Sequence, residues 1–304
     1  MRNLKTLAME KIGLAAAVML LAAACGKNTV TESGYVPVSE GGQIYYESAG
    51  EGLPVILLHG HTLDMRMWDP QVQPLVDAGY RVIRPEMRGY GHSSKQQPGV
   101  QFTHMDDMLT VMDSLHIDKA HIVGLSMGGF VAGDMVAMHP ERMISVTLSS
   151  GVIRNMPGPS TPFDSLETAK KDAEIAAVKA EGVETWKKKW IEQLISGGGT
   201  DRENIRQSLT AQVEDWDGFQ LLNREMRLYY ADEAWDTIKV RKPAVPALIL
   251  SGEYEHKPKS SMLPYLPKAS ETVIPDCGHM SNMEKPKIFT DLILDLFRRA
   301  EKQQ

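Results

Sequence analysis

Gly124-Leu125-Ser126-Met127-Gly128-Gly129 sets a serine between glycines two residues to either side, directly after the apolar run His121-Ile122-Val123. That spacing suits a strand turning sharply into a helix with a nucleophilic hydroxyl at its tip. The turn strains the serine backbone, and only small neighbours let strand and helix pack so closely. It also leaves the Met127 N–H at the helix start, where the positive end of the helix dipole can receive a developing oxyanion. Ser126 is therefore a candidate acyl acceptor, and Met127 a candidate oxyanion donor.

Such a turn needs a buried parallel sheet around it, and the sequence alternates accordingly. Gln43 to Ala49 alternates like an edge strand, and Pro54-Val55-Ile56-Leu57-Leu58 reads as a strand buried on both faces. Helical spacing follows over Asp69 to Ala78, a strand over Tyr80 to Arg84, and helical spacing again over Phe102 to Leu115. Ala120 to Leu125 and Met143 to Ser149 are strands, with a helix from Met127 to His139 between them that Pro140 ends. Alternation of this kind predicts a mostly parallel sheet with helices on both faces.

The alternation stops after Ser149. Residues 152–240 carry a Pro- and Gly-rich loop, then helical, charged stretches near Glu167 to Lys179, Thr185 to Ile195 and Phe219 to Ala231. Strands return at Ala247-Leu248-Ile249-Leu250 and Glu271 to Ile274, before a closing helix from Pro286 to about Lys302. We expect residues 41–151 and 241–304 to form the core and 152–240 a helical cap over the sheet edge where the loops gather. Four of the five Trp, at 186, 190, 216 and 235, fall in this cap. They either line a pocket or glue the cap helices together.

The 304 residues are 42% apolar and 24% charged with two Cys, which excludes a disordered chain or a disulfide-stapled miniprotein. A net charge of -6 with no basic cluster beyond Lys187, Lys188 and Lys189 gives no footprint for nucleic acid, so a small-molecule partner is expected. Arg2, Lys5 and Lys11 precede the apolar run Ile12 to Ala24, which is too short to span a bilayer. Residues 1–24 read as a signal peptide, and 25–40, polar and without period, as a tether. Leu21-Ala22-Ala23-Ala24-Cys25 resembles a bacterial lipoprotein signal, which implies lipidation of Cys25; ordinary secretory cleavage after Ala24 is the alternative. Either way the protein is exported, and Gly26 after the Cys implies the outer membrane. Cys277 would be left alone, so no disulfide is expected. Nothing in the sequence fixes the oligomeric state.

Taken with three further blocks, the Ser126 motif resembles the α/β-hydrolase superfamily. The blocks are His59-Gly60-His61, Arg88-Gly89-Tyr90-Gly91-His92-Ser93 and Cys277-Gly278-His279-Met280-Ser281-Asn282-Met283-Glu284-Lys285-Pro286. The resemblance implies that the backbone of His61 supplies the second oxyanion N–H and that His279 is the general base. Gly252-Glu253-Tyr254-Glu255 is similar to the family's Gly-Glu-x-Asp segment, with Glu255 in place of the acid. The order Ser126, Glu255, His279 matches the family's nucleophile, acid and base. Capped esterases and lactonases near the enol-lactonases, cofactor-free haloperoxidases and aryl esterases are the most similar group. They imply cofactor-free cleavage of an ester or lactone through an acyl-enzyme.

Two departures stand out. Glu86 occupies the usual Asp position two residues before Arg88, which predicts a packing adjustment. A serine nucleophile argues against the dehalogenases and epoxide hydrolases that use Asp there. The same triad could pass its acyl group to peroxide or another acceptor, and a hydrolase-like fold could also serve only to bind a ligand. His59-Gly60-His61 invites a zinc site, but the ligands expected next are out of step at Leu63, Asp64 and Met65, so no metal is expected. The 18 Met are read as core filling, with a soft pocket wall as a secondary role.

Overall fold

Short apolar runs pair into one sheet of eight strands: β1 (Glu32–Pro37), β2 (Gln43–Ala49), β3 (Leu53–Leu58), β4 (Tyr80–Pro85), β5 (Ala120–Leu125), β6 (Met143–Ser149), β7 (Ala247–Gly252) and β8 (Ala269–Ile274). The computed structural model describes residues 30–153, 165–223, 233–255 and 262–303. Strand order is β1-β2-β4-β3-β5-β6-β7-β8. The β1/β2 and β2/β4 pairs are antiparallel, and the remaining neighbours are parallel. β5 and β6 lie at the centre of the parallel part and are buried at every residue, as strands covered on both faces must be.

Residues 32–37 correct the expectation of a tether over 25–40. They pair in register with β2, from Glu32 opposite Ser48 to Pro37 opposite Gln43. As an edge strand β1 tolerates Pro37, and Val36 is its one buried residue, so its apolar signal is faint. β2 is consequently an interior strand and not the edge. The signal segment 1–24, Cys25 and the start of the tether lie outside the described residues.

The helices are α1 (Asp69–Asp77), α2 (His104–Ser114), α3 (Met127–Met138), α4 (Ser165–Glu181), α5 (Val183–Ser196), α6 (Arg206–Asp215), α7 (Phe219–Leu222), α8 (Ala234–Arg241), α9 (Ser281–Glu284) and α10 (Pro286–Glu301). On one face of the sheet α2, α3 and α8 bury Met108, Val111, Val131, Met135 and Ile238. On the other, α1 and α10 bury Val72, Leu75, Phe289, Ile293 and Phe297. Each such side chain, fully buried, stabilises the fold by roughly 1.5–3 kcal/mol. α10 shows why: Phe289, Ile293, Leu296, Phe297 and Ala300 recur at helical spacing, while Lys287, Asp291, Asp295 and Arg298 point to solvent. α3 has no polar face; it is buried from Met127 to Ala137 and is wedged beneath the sheet.

Helices α4 to α7, inserted between β6 and β7, form the helical cap region, and α5 and α6 dock through Ile191, Leu194, Leu209 and Val213. α6 was not expected from the sequence. α8 straddles the expected boundary at residue 240 and packs on α3, because Ala234 and Ile238 are apolar on the side that meets the core. Among the described residues no helix is long and apolar enough to cross a membrane.

Candidate active site

Ser126 stands where β5 becomes α3, at φ 55° and ψ −113°, the strained left-handed turn expected of an exposed nucleophile. The flanking glycines are sterically required. A Cβ on Gly124 would lie 2.0 Å from Gly128 O, and one on Gly128 would lie 2.1 Å from Leu58 O. Ser126 N–H donates to Ser149 O at 2.8 Å, which fixes the elbow to β6.

His279 follows β8, and its Nδ1–H donates to Glu255 Oε1 at 2.6 Å. The carboxylate is 4% exposed, and its other oxygen accepts from Ser150 Oγ at 2.5 Å and from Gly252 N–H at 3.2 Å. Glu253 turns the other way and accepts the Asp276 N–H at 2.8 Å. Asp276 binds the cap through Thr200 N–H and also meets Lys285; the bonds from Thr200 and Lys285 hold its carboxyl well below the usual range. Neither Glu253 nor Asp276 is paired with His279. Among the described residues no hydrogen bond joins Ser126 Oγ to His279; the corner 149–151 links their neighbourhoods. The His279 loop is clamped by Glu284, whose carboxylate accepts N–H groups from Gly278 at 3.2 Å and Gly199 at 2.7 Å.

The third element is the loop after β3. An added Cβ on Gly60 would lie 3.6 Å from Ser126 Cβ, so this loop runs beside the elbow. His59 fixes it: Nδ1–H donates to Gly60 O at 2.9 Å, and Nε2 accepts the Met87 N–H at 2.9 Å. Both ring nitrogens are thereby used for structure, which removes His59 as a metal ligand. Complete burial pushes its pKa down to about 4. His61 Nδ1 lies 2.6 Å from Tyr90 Oη, which in turn meets Met127 Sδ at 3.4 Å. Tyr90 thus bridges the side chains of the two residues whose N–H groups are the oxyanion candidates. Met127, first in α3, has an N–H that the helix itself does not use. Burial, with Lys171 and His59 nearby, pushes the His61 pKa down to about 4, so its ring is neutral at pH 7.

Part of the cap's tryptophan set reaches this loop. Trp216 stands edge-on to His61 with centroids 5.0 Å apart and stacks over Tyr90 at 6.5 Å. Trp190 donates its indole N–H to Thr62 Oγ1 at 3.0 Å and stacks on Trp186 at 5.5 Å. Trp235 instead packs edge-on against Tyr265, with ring centroids 5.9 Å apart. Glu86 is buried and accepts the His92 N–H at 2.5 Å; its extra methylene fits because Gly91 has no side chain to collide with it. Burial raises its pKa. Cys277 is buried and free, its thiol pushed up to about 12 by burial. Sequence reasoning missed Ser150, Tyr90 and Glu284 as site residues. The last two sit inside blocks already singled out, and Ser150 directly follows the parallel strand β6, at the end where such folds gather their site residues.

Comparison with known proteins agrees with this architecture. Residues 54–286 match the family model described as the alpha/beta hydrolase fold. A non-heme chloroperoxidase from Kitasatospora aureofaciens is 36% identical over 115 residues, 37% of this chain and 42% of that protein. With this and comparable curated relatives the alignment covers less than half of the relative's length. A thermophilic esterase from Thermogutta terrifontis superposes with a TM-score of 0.70 at 24% identity, covering 88% of this chain and 99% of that one. An enol-lactonase from Burkholderia xenovorans gives a TM-score of 0.69 at 24% identity, covering 87% and 100%. At that identity both are likenesses of fold.

Proposed function

The chain belongs to the alpha/beta hydrolase fold family, and from that premise we propose that it is a serine hydrolase cleaving a carboxylic ester or lactone through an acyl-enzyme on Ser126. His279 Nε2 takes the Ser126 proton as Oγ attacks the carbonyl carbon. Glu255 holds the imidazole in the tautomer that leaves Nε2 free to accept. The N–H groups of Met127 and His61 receive the oxyanion, each typically worth about a hundredfold or more in rate. Collapse breaks the C–O bond, and the alcohol leaves with the proton from His279. Water, deprotonated by His279, then releases the acid. No step calls on a cofactor.

The observation that carries this reading is the 2.6 Å bond from His279 Nδ1 to the buried Glu255, in a chain whose serine sits strained at the strand-to-helix turn. A serine there also favours ester chemistry over the epoxide and haloalkane openings that start from Asp. Likeness to a non-heme chloroperoxidase supports a second use of the same site, transfer of the acyl group to peroxide. The test is turnover of short and long acyl esters and lactones, with and without peroxide, together with labelling by a serine-directed phosphonate. Ser126→Ala should abolish turnover and labelling while the circular dichroism spectrum persists; equal labelling of the variant would overturn the assignment.

We also propose export as a lipoprotein anchored through Cys25, on the strength of the basic start, apolar run and Cys at residues 2–25. Membrane partitioning that Cys25→Ala abolishes is the expected result; an acyl-free soluble wild-type protein would contradict it.

A further inference from the structure

The corner after β6 touches all three members of the proposed triad. Ser149 O accepts the Ser126 N–H at 2.8 Å. Ser150 Oγ donates to Glu255 Oε2 at 2.5 Å and lies 3.4 Å from the His279 carbonyl oxygen. Gly151 runs so close beneath the elbow that an added Cβ would stand 2.1 Å from Ser126 O.

We propose that Ser150 is a positioning residue of this site: its hydroxyl, with the Gly252 N–H, holds one oxygen of Glu255 so that the other stays on His279. The inference rests on reading Ser126, Glu255 and His279 as a triad. Glutamate has one more rotatable bond than aspartate, so a carboxylate anchored at a single oxygen could swing about that extra bond. Anchoring Oε2 from two directions removes this freedom.

The backbone argues the same way. Ser150 sits at φ 52°, in the left-handed region that favours glycine, and is 4% exposed. Its N–H donates to Leu250 O at 2.8 Å, which ties the end of β6 to β7, the strand that leads to Glu255. A glycine would satisfy that backbone with less strain. What serine adds at this position is a buried hydroxyl aimed at the carboxylate.

The test compares Ser150→Ala and Ser150→Gly with wild type on p-nitrophenyl acetate. Ser150→Gly also lacks the hydroxyl and suits the positive φ, so it serves if the alanine variant folds poorly. We expect kcat to fall about ten- to a hundredfold, the range for a lost hydrogen bond to a charged group, with KM nearly unchanged. The downfield NMR resonance of the His279 Nδ1 proton should shift or broaden while Tm stays close to that of wild type. In a Glu255→Gln background the Ser150→Ala change should cost almost nothing more. Wild-type kcat in both single variants, an unmoved resonance with losses that track unfolding, or full additivity with Glu255→Gln would each overturn the proposal. Ser126→Ala and Glu255→Gln are run alongside. If these two keep wild-type turnover the triad reading itself fails, whereas their loss with a silent Ser150→Ala defeats only the role of Ser150.

Discussion

Trp216, at the end of a cap helix, stands edge-on to His61 with ring centroids 5.0 Å apart. The cap therefore closes on the loop beside the Ser126 elbow, and a change in that ring is transmitted to one of the two proposed oxyanion donors and to the space next to it.

Trp216→Ala should accordingly alter the preference among acetate, butyrate and laurate esters by roughly tenfold, about the discrimination that apolar pocket contacts supply. Trp235→Ala, against Tyr265, should lower Tm and leave the preference intact. Parallel kinetics and melting curves check this, and equal chain-length profiles for both variants would contradict it.

Glu255→Gln should cut kcat by several orders of magnitude, about 10⁴-fold where a triad acid is lost with the geometry kept. Glu253→Gln should be mild, since Glu253 accepts the Asp276 N–H and not the imidazole. Side-by-side kinetics decide; the reverse ranking would move the acid to Glu253.

His59 gives the fold an acid sensitivity of known sign. Its pKa is pushed down to about 4 by burial, from the ordinary value of 6.5, and Nε2 accepts an N–H that cannot be shared with a proton. Below pH 6.5 the unfolded chain binds a proton there and the folded chain does not. Stability present above pH 6.5 is therefore lost as pH falls toward 4, by about 2 kcal/mol at pH 5. The loss of urea unfolding free energy between pH 7 and pH 5 should be smaller by about this amount in His59→Asn. An identical loss in the two proteins would refute the prediction.

Arg88 meets Asp107 through two hydrogen bonds of 2.7 and 3.1 Å, with side chains 3% and 1% exposed. It also lies 4.2 Å from the centre of the Phe102 ring. Arg88→Met leaves the Asp107 carboxylate buried and unpaired, which should cost about 3–5 kcal/mol. Chemical denaturation checks the figure, and a loss below about 1 kcal/mol would mean that water reaches Asp107 in the variant.

The Ser126 elbow was legible in the sequence because its requirements are local: two glycines and a strand-to-helix junction within a few residues. The parallel core followed from continuous apolar runs such as Val55 to Leu58. β1 was not legible, since an edge strand with Val36 as its one buried residue carries almost no period. Ser150 escaped for another reason. A lone serine shows its use only after β6 and β7 lie side by side and bring it within 2.5 Å of a residue 105 positions away. The Tyr90 bridge between His61 and Met127 is likewise a product of tertiary packing.

The cap's place between β6 and β7 has a consequence for how the chain acquires its shape. β6 pairs with β7 in parallel, yet residues 150–246 separate the two strands. Closing a flexible loop of that length costs only about 4 kcal/mol in chain entropy, so the native state bears it easily. Kinetics are less forgiving, because distant parallel pairing is slow. During synthesis from the N-terminus, β6 emerges with one edge unpaired and waits for the whole cap to be made before its partner arrives. Over that interval a wholly buried strand next to a helix buried from Met127 to Ala137 presents an open template to other chains. The insertion that carries Trp216 to the His61 loop thus also sets the period in the protein's biogenesis when it most needs shielding from aggregation.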